Sequence, residues 1–411
     1  MVRVARMVTV HTSEINRLLT RRWSYLYGFV SSYESCRIAE NTASRTSRSR
    51  ADSTEVLMLI SDIPALREYW YPVAYSTDVT DKPVRAELFG EGLVVWRDEP
   101  GGRLHGALDY CAHRGARLSQ GWIDDGCLTC PYHGWQFGDD GRCVNIPQNP
   151  AGSAVPPRAR LATVHADEKY ELVWLCVAPT PREPIPVLDE LEDPSFTLVH
   201  ELMEEWQVTA PRCTDNALDV SHLSFVHRNS VGDSSRPEMG DYTVEREGQR
   251  IRFTISYTAQ VSEEMKRNTG LTVDTTTRTT HAELVQPLVF RGVLEYENGL
   301  KHVLYKTAAP IDDDRTLFCQ FIARNDDPDE EKQAIMIGID RQVQGEDKAL
   351  LEGLDSEFPV EITTEVHTKT DRMTLEYRKI LGELAAEAGE IRSDSTWDPI
   401  CRHQAASPAG P

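Results

Sequence analysis

No uninterrupted apolar run in this 411-residue chain approaches the roughly 18–20 residues that a bilayer-spanning helix needs. Positive charge is also scarce: 44 Lys and Arg stand against 65 Asp and Glu, for a formal charge of −21. That balance argues against nucleic acid or an anionic membrane surface as the main partner. Nine cysteines are too few and too scattered for a disulfide scaffold, and the odd count excludes full pairing. A reducing cytoplasm is therefore the default location. No Gly-x-Gly-x-x-Gly opens a helix and no internal repeat is present, so neither a dinucleotide fingerprint nor a solenoid is indicated. What the chain does have is a hydrophobic content of 40%, enough for a sizeable core.

Composition divides the chain into four parts. Residues 1–55 are arginine- and serine-rich and acid-poor, ending in Asn41-Thr-Ala-Ser-Arg-Thr-Ser-Arg-Ser-Arg50. They read as a poorly ordered leader or an overlong start, with an organelle transit peptide as the alternative. Residues 56–180 hold short β-branched and aromatic runs such as Trp70–Tyr75, Gly92–Trp96 and Glu171–Val177, punctuated by Gly, Pro and Asp. The proline-rich Pro179–Pro186 passage then marks a boundary near residue 180. Residues 181–391 mix alternating strands (Arg250–Tyr257, His302–Thr307) with helical composition over Asp329–Gly353 and Asp371–Ala388. The polar tail, 392–411, is expected to be disordered.

The most informative stretch runs from Cys111-Ala-His113 to Cys130-Pro-Tyr-His133-Gly-Trp135. Each half is a tight loop bringing one thiolate and one imidazole to the same side. A Rieske [2Fe–2S] centre needs that pairing, with two cysteines on one iron and two histidines on the other. The flanking glycines suit loops that bend sharply and offer N–H groups to sulfur. Two alternatives stand beside this reading: a structural zinc site made by Cys111, His113, Cys127 and Cys130, or a satisfied core with chance histidines. On the Rieske reading Cys127 is a spare thiol. Cys36, Cys143, Cys176, Cys213, Cys319 and Cys401 read as ordinary thiols.

A second constellation is Asp215-Asn216-Ala-Leu-Asp219-Val-Ser-His222-Leu-Ser-Phe-Val-His227. Non-haem Fe(II) centres use two histidines and one carboxylate on one face, leaving other positions open. Asp219 and His222, at i and i+3, are expected on one helical face. His227 would fall off that face, so the helix should end or distort there. A lone histidine in such a segment is more often a surface or core residue than a ligand. The pair gains weight from sharing a chain with a cluster motif, because an electron store implies an acceptor.

These residues, with Gly141-Arg-Cys-Val-Asn-Ile-Pro147, resemble the α subunits of Rieske non-haem iron oxygenases. The likeness is greatest to the single-subunit branch that includes the vanillate and dicamba O-demethylases, the saxitoxin-pathway hydroxylases and natural-product tailoring oxygenases. The resemblance implies an α+β fold: a β-rich Rieske domain, then a catalytic domain with an antiparallel sheet covered by helices, a START-like helix-grip. It implies a [2Fe–2S] cluster on Cys111, His113, Cys130 and His133, and mononuclear Fe(II) on His222, His227 and a late helical aspartate. Gly345-Glu346-Asp347 matches the family's pattern for that aspartate and points to Asp347; spacing alone does not separate it from Glu346, Glu352 or Asp355. Asp219 would be the catalytic bridge between His133 of a neighbouring subunit and His222, in a head-to-tail homotrimer, and Asn216 would lie near the iron. His367–Arg378 is expected to be structural.

The function implied is that of a terminal oxygenase acting on a small organic molecule with O2 and electrons from a separate reductase or ferredoxin. Hydroxylation, oxidative demethylation and oxidative cyclisation are the leading reactions. A ring cis-dihydroxylating dioxygenase α subunit is the alternative, and an electron carrier using only the cluster is the contrasting class.

Overall fold

The computed structural model describes residues 57–391, apart from Ala151, Asp241 and Ser356; the arginine-rich leader and the polar tail lie outside the described residues. Besides the short strand Leu57–Met58, which pairs with Phe358–Pro359, the first half is built from ten strands. They are β1 (Tyr71–Tyr75), β2 (Val84–Leu88), β3 (Glu91–Arg97), β4 (Leu104–Leu108), β5 (Trp122–Asp124), β6 (Cys127–Thr129), β7 (Gln136–Phe137), β8 (Cys143–Asn145), β9 (Thr163–Lys169) and β10 (Leu172–Cys176). Six pair antiparallel in the order β1-β10-β9-β4-β3-β2, and β5 to β8 form a separate four-stranded sheet. The unbroken apolar run of β10 is explained by its place: Val173 and Leu175 enter one core, while Leu172, Trp174 and Cys176 enter another. A strand buried on both faces has no polar side to show. The small sheet has its own core of Trp96, Leu118, Leu128 and Phe137, which carries the cysteine–histidine loops.

The second half is a seven-stranded antiparallel sheet. Its strands are β11 (Thr197–Trp206), β12 (Val244–Glu247), β13 (Arg250–Gln260), β14 (Thr275–Gln286), β15 (Val289–Glu295), β16 (Lys301–Pro310) and β17 (Thr316–Arg324), in the order β11-β17-β16-β15-β14-β13-β12. On β13, Ile251, Phe253 and Ile255 are buried and the residues between them exposed, the period-2 pattern of a half-covered strand. Besides the single turn Asp189–Glu192, the helices are α1 (Ala210–Leu218), α2 (Leu223–Val226), α3 (Glu263–Thr269), α4 (Glu330–Leu351) and α5 (Arg372–Ile391). Helix α4 starts where the Asp329 carboxylate accepts the Lys332 N–H at 2.8 Å, an N-cap that satisfies an otherwise orphaned donor. It is pinned to β11 by Met336 packing on Val199 and by Lys348 donating to the Glu205 carbonyl.

The Pro179–Pro186 passage runs between β10 and β11. Even so, one hydrophobic cluster joins Leu88, Leu93 and Leu175 of the first sheet to Trp206, Phe290 and Tyr377 of the second half. The two large sheets thus share a core, while the cysteine–histidine loops sit on the separate core of the small sheet. Helix α5 packs inward: Tyr377 is fully buried, and Arg378 bonds the Pro359 carbonyl at 2.7 Å and Glu365 at 2.8 Å.

Candidate metal centres

The two cysteine–histidine loops are built alike. In the first, the Cys111 N–H donates to the Ala116 carbonyl and the Gly115 N–H returns to the Cys111 carbonyl, both at 2.9 Å. In the second, the Cys130 N–H donates to the Trp135 carbonyl at 2.9 Å and the Gly134 N–H returns to the Cys130 carbonyl at 3.0 Å. Gly115 and Gly134 have φ of 73° and 71°, the left-handed region that a side chain resists. A Cβ on Gly115 would also stand 2.6 Å from the Tyr110 ring. Asp109 braces the first loop by accepting from the Ser119 N–H and hydroxyl, each at 2.7 Å, while Arg85 pairs with it at 2.8 Å.

Cys111 and Cys130 are both 1% exposed and lie side by side, and burial pushes the Cys111 thiol up to about 12. The His113 and His133 rings meet with centroids 4.5 Å apart. Each has a buried Nδ1 without a hydrogen-bond partner. Trp135 stacks flat on His113 at 4.4 Å, fixing that ring's plane. Two sequestered thiols beside two orphaned ring nitrogens fit the donor set of a [2Fe–2S] cluster. The zinc alternative fares worse. Cys127 sits on β6 among Asp124, Asp125 and Asp139, and among the described residues no three of its proposed donors come within 4.8 Å of one another.

The described residues contain one triplet that meets that condition: His222, His227 and Asp347. Asp347, on α4, is 1% exposed; its Oδ1 lies 3.4 Å from His222 Nε2 and 3.2 Å from His227 Nε2. The outer nitrogens face other carboxylates. His227 Nδ1–H donates to Glu346 at 2.9 Å, where the Ser230 hydroxyl also donates at 2.7 Å, and His222 Nδ1 is 3.6 Å from Asp219. Asn216 donates to Asp347 Oδ1 at 3.4 Å. Carboxylates behind imidazoles select the tautomer that leaves Nε2 free and hold the ring plane, as histidine metal ligands require. Burial alone would depress the His222 imidazolium, but Asp219 and Asp347 outweigh it and lift it to about 9. Burial likewise opposes the Asp347 charge, and the two histidines more than reverse this, holding it well below the usual carboxylate range. Two facing Nε2 atoms and a buried carboxylate suit Fe(II).

Contrary to what their i, i+3 spacing suggests, Asp219 and His222 do not share a face of one helix. Helix α1 ends at Leu218, and Asp219 is extended, with φ −80° and ψ 120°. Its Oδ1 accepts the Ser221 N–H at 2.8 Å and the Ser221 hydroxyl. That local bond diverts the backbone from the helical ladder. His222 then caps the start of α2 and His227 its end, so both flank a single turn. Of the four acidic candidates only Asp347 reaches both Nε2 atoms. Glu346 serves His227 from outside, and Glu352 bonds the Gln207 N–H at 2.9 Å. Sequence reasoning missed the Glu346 and Ser230 roles, although Glu346 stood in the motif; nothing in spacing pairs it with His227.

Asp215, the first residue of the motif, turns away to Arg378 at 3.3 Å. Burial raises it to about 7, with Arg378 and Arg212 pulling down and Asp219 and Glu365 pushing up. An acid that holds its proton more tightly folded than unfolded stabilises the fold at low pH and loses that contribution as pH climbs towards 7. Asp215→Asn should therefore gain stability relative to the parent between pH 5 and 7 and level off above. Denaturant melts at each pH check this; a constant difference contradicts it.

The triplet opens into a cavity between the sheet and α4, floored by Ala282, Gly292, Leu304 and Lys306. No helix among the described residues is long and apolar enough to cross a membrane.

Comparison with known proteins places both halves. Residues 69–164 match the Rieske [2Fe-2S] domain, and residues 206–387 match the vanillate O-demethylase oxygenase C-terminal domain. The methylxanthine N1-demethylase NdmA of Pseudomonas putida is 28% identical over 346 residues, covering 82% of this chain and 94% of the relative. The aminopyrrolnitrin oxygenase PrnD of Pseudomonas fluorescens is 33% identical over 38% of this chain and 45% of its own. The structure of Pseudomonas putida NdmA with caffeine superposes with a TM-score of 0.69 at 27% identity, covering 80% of this chain and 94% of that one. Dicamba monooxygenase bound to dicamba shares the fold, with a TM-score of 0.66 at 20% identity over 79% of this chain and 99% of that one. Because the two matched regions stand in this order on one chain, each carrying a donor set that fits its iron, the chain belongs to the Rieske non-haem iron oxygenases.

Proposed function

We propose that this chain is the terminal oxygenase of a multi-protein system and oxidises a small organic molecule by hydroxylation or oxidative demethylation. The observation that carries the reading is the triplet His222, His227 and Asp347 opening into a cavity between the sheet and α4, which a pure electron carrier has no use for. In this reading Cys111 and Cys130 hold one iron of the cluster, and His113 and His133 the other. His222, His227 and Asp347 hold the mononuclear iron. When bound, the cluster supplies stored electrons and the single iron supplies dioxygen activation.

The chain's own residues do the rest. Asp219 and Glu346 orient the two imidazoles, and Asn216 steadies Asp347. Asp219 keeps a side chain 30% exposed, which lets one carboxylate touch His222 and also face outward. A head-to-tail homotrimer that brings a neighbour's His133 to that edge suits the arrangement. The acidic chain, with a formal charge of −21, suits docking of a basic patch on a separate reductase or ferredoxin. A cytoplasmic setting would supply both.

The test is oxygen uptake with a surrogate ferredoxin and reductase, using a panel of N-methyl and O-methyl aromatics. At least one compound should stimulate uptake and release formaldehyde or a hydroxylated product. A cluster that reduces and reoxidises normally while no compound alters oxygen uptake would favour the carrier.

A further inference from the structure

Arg278, on β14, is 4% exposed and lines the cavity. A buried cation is costly without an acceptor of opposite charge. The other buried arginines obey that rule: Arg324 pairs with Asp326, Arg378 with Glu365 and Asp215, and Arg97 with Glu168. Among the described residues, Arg278 has no carboxylate within 4.0 Å. Its contacts are the Met265 sulfur at 2.7 Å and the Tyr296 ring with its centroid at 5.7 Å, and Tyr257 stands opposite it on the neighbouring strand. Its Nε has no partner. A guanidinium in such surroundings is held in place by weak contacts, with its strong donors unspent.

The strand register shows where this lies. Tyr257 pairs with Arg278, Phe253 with Ala282, Ala282 with Gly292, and Gly292 with Leu304. The cavity floor thus runs from a polar row at Arg278 across an apolar middle. Gly292 makes room in that middle for the Phe290 ring, since a Cβ there would stand 2.9 Å from it. Met265 and Tyr296 pack with Ile339 of α4, eight residues before Asp347. At 1.5 Å per residue the polar end is on the order of 12 Å from the triplet. Asp340 also lines the cavity beside Glu201; the closeness of these two buried acids favours one shared proton, which leaves a single negative charge on the pair, more than 4.0 Å from Arg278. Lys306 is a second cation lining the cavity with no ion pair within 4.0 Å among the described residues, while Asp219 and Asp347 line it at the triplet.

We propose that Arg278 is the specificity-determining anchor for an organic carboxylate, gripping the anion at the far end of the cavity while the carbon to be oxidised lies beside His222, His227 and Asp347. The assignment rests on the oxygenase reading and names its substrate class. The carboxylate and the oxidised carbon are on the order of 10 Å apart, the span of an aromatic ring with a short extension.

Matched probes test this on the iron-loaded protein by anaerobic titration calorimetry: 4-methoxycinnamate against 4-methoxycinnamamide, and 6-methoxy-2-naphthoate against its carboxamide. At least one carboxylate should bind ten-fold or more tightly than its amide. Arg278→Gln should abolish that preference, and Arg278→Lys should retain part of it. No carboxylate binding better than its amide, with absence of all binding included, overturns the proposal, and so does a preference that survives Arg278→Gln. The carboxylate–amide contrast in the parent protein needs no variant to fold. If amides bind as well and oxygen uptake persists, the anchor fails while the oxygenase reading stands.

Discussion

Asp347→Ala should lose the mononuclear iron and at least ~100-fold of oxygen-dependent turnover, while the visible spectrum of the cluster stays unchanged. Removing a partner that merely orients a ligand already costs roughly 10–100-fold in metal affinity or activity, and a direct ligand should exceed that. Asp347 Oδ1 lies within 3.4 Å of both Nε2 atoms, and the residue is 1% exposed, so its carboxylate is held at the point where the two imidazoles converge. The cluster loops are closed by their own backbone bonds and packed on Leu118, Leu128 and Phe137, a core that does not include α4. Damage at Asp347 therefore has no packed route to them. Glu346→Gln grades the effect: His227 keeps a hydrogen-bonding partner but loses its charge, and a loss of about ten-fold is expected. Iron content measured beside the absorption spectrum checks both. An Asp347→Ala protein that kept full iron would remove this residue from the ligand set.

Asp219→Ala should give the opposite signature, with iron content intact and turnover down ~100-fold. Asp219 is not among the three converging donors. It stands 3.6 Å behind His222 and is itself fixed by Ser221. Removing it leaves Nε2 in place but takes away both the charge that orients the ring and the outward-facing carboxylate. The discriminating measurement is cluster reoxidation in a single turnover, which should slow in parallel with product formation. A variant with slow product formation but normal cluster reoxidation would restrict Asp219 to holding His222 and deny it any part in electron passage.

Much of this was legible in the chain because it is local. Cys-x-His and Cys-x-x-His with their glycines are short-range patterns, and each folds into a loop that closes on its own cysteine. Strands such as β10 and β13 announce themselves by period and composition. Asp347 was harder: Asp347, Glu346, Glu352 and Asp355 look alike on a polar helix, and only family likeness selected the first. The expected helix through Asp219 and His222 failed because the Asp219 carboxylate captures the Ser221 N–H, a competition that propensity and spacing do not reveal. Glu346 behind His227 lies 119 residues from it, and Arg278 draws its meaning from Tyr257, Met265 and Tyr296 on other elements. Such partners are chosen by sheet register and helix placement, which no short motif encodes.

Two kinds of iron in one polypeptide is the claim on which the rest depends. Iron and acid-labile sulfide, measured per chain after anaerobic purification and reconstitution, test it most directly. The account predicts about three irons and about two sulfides, the cluster contributing two irons and the triplet one. Two irons per chain with the cluster spectrum complete, or zinc in place of iron and sulfide, would contradict it.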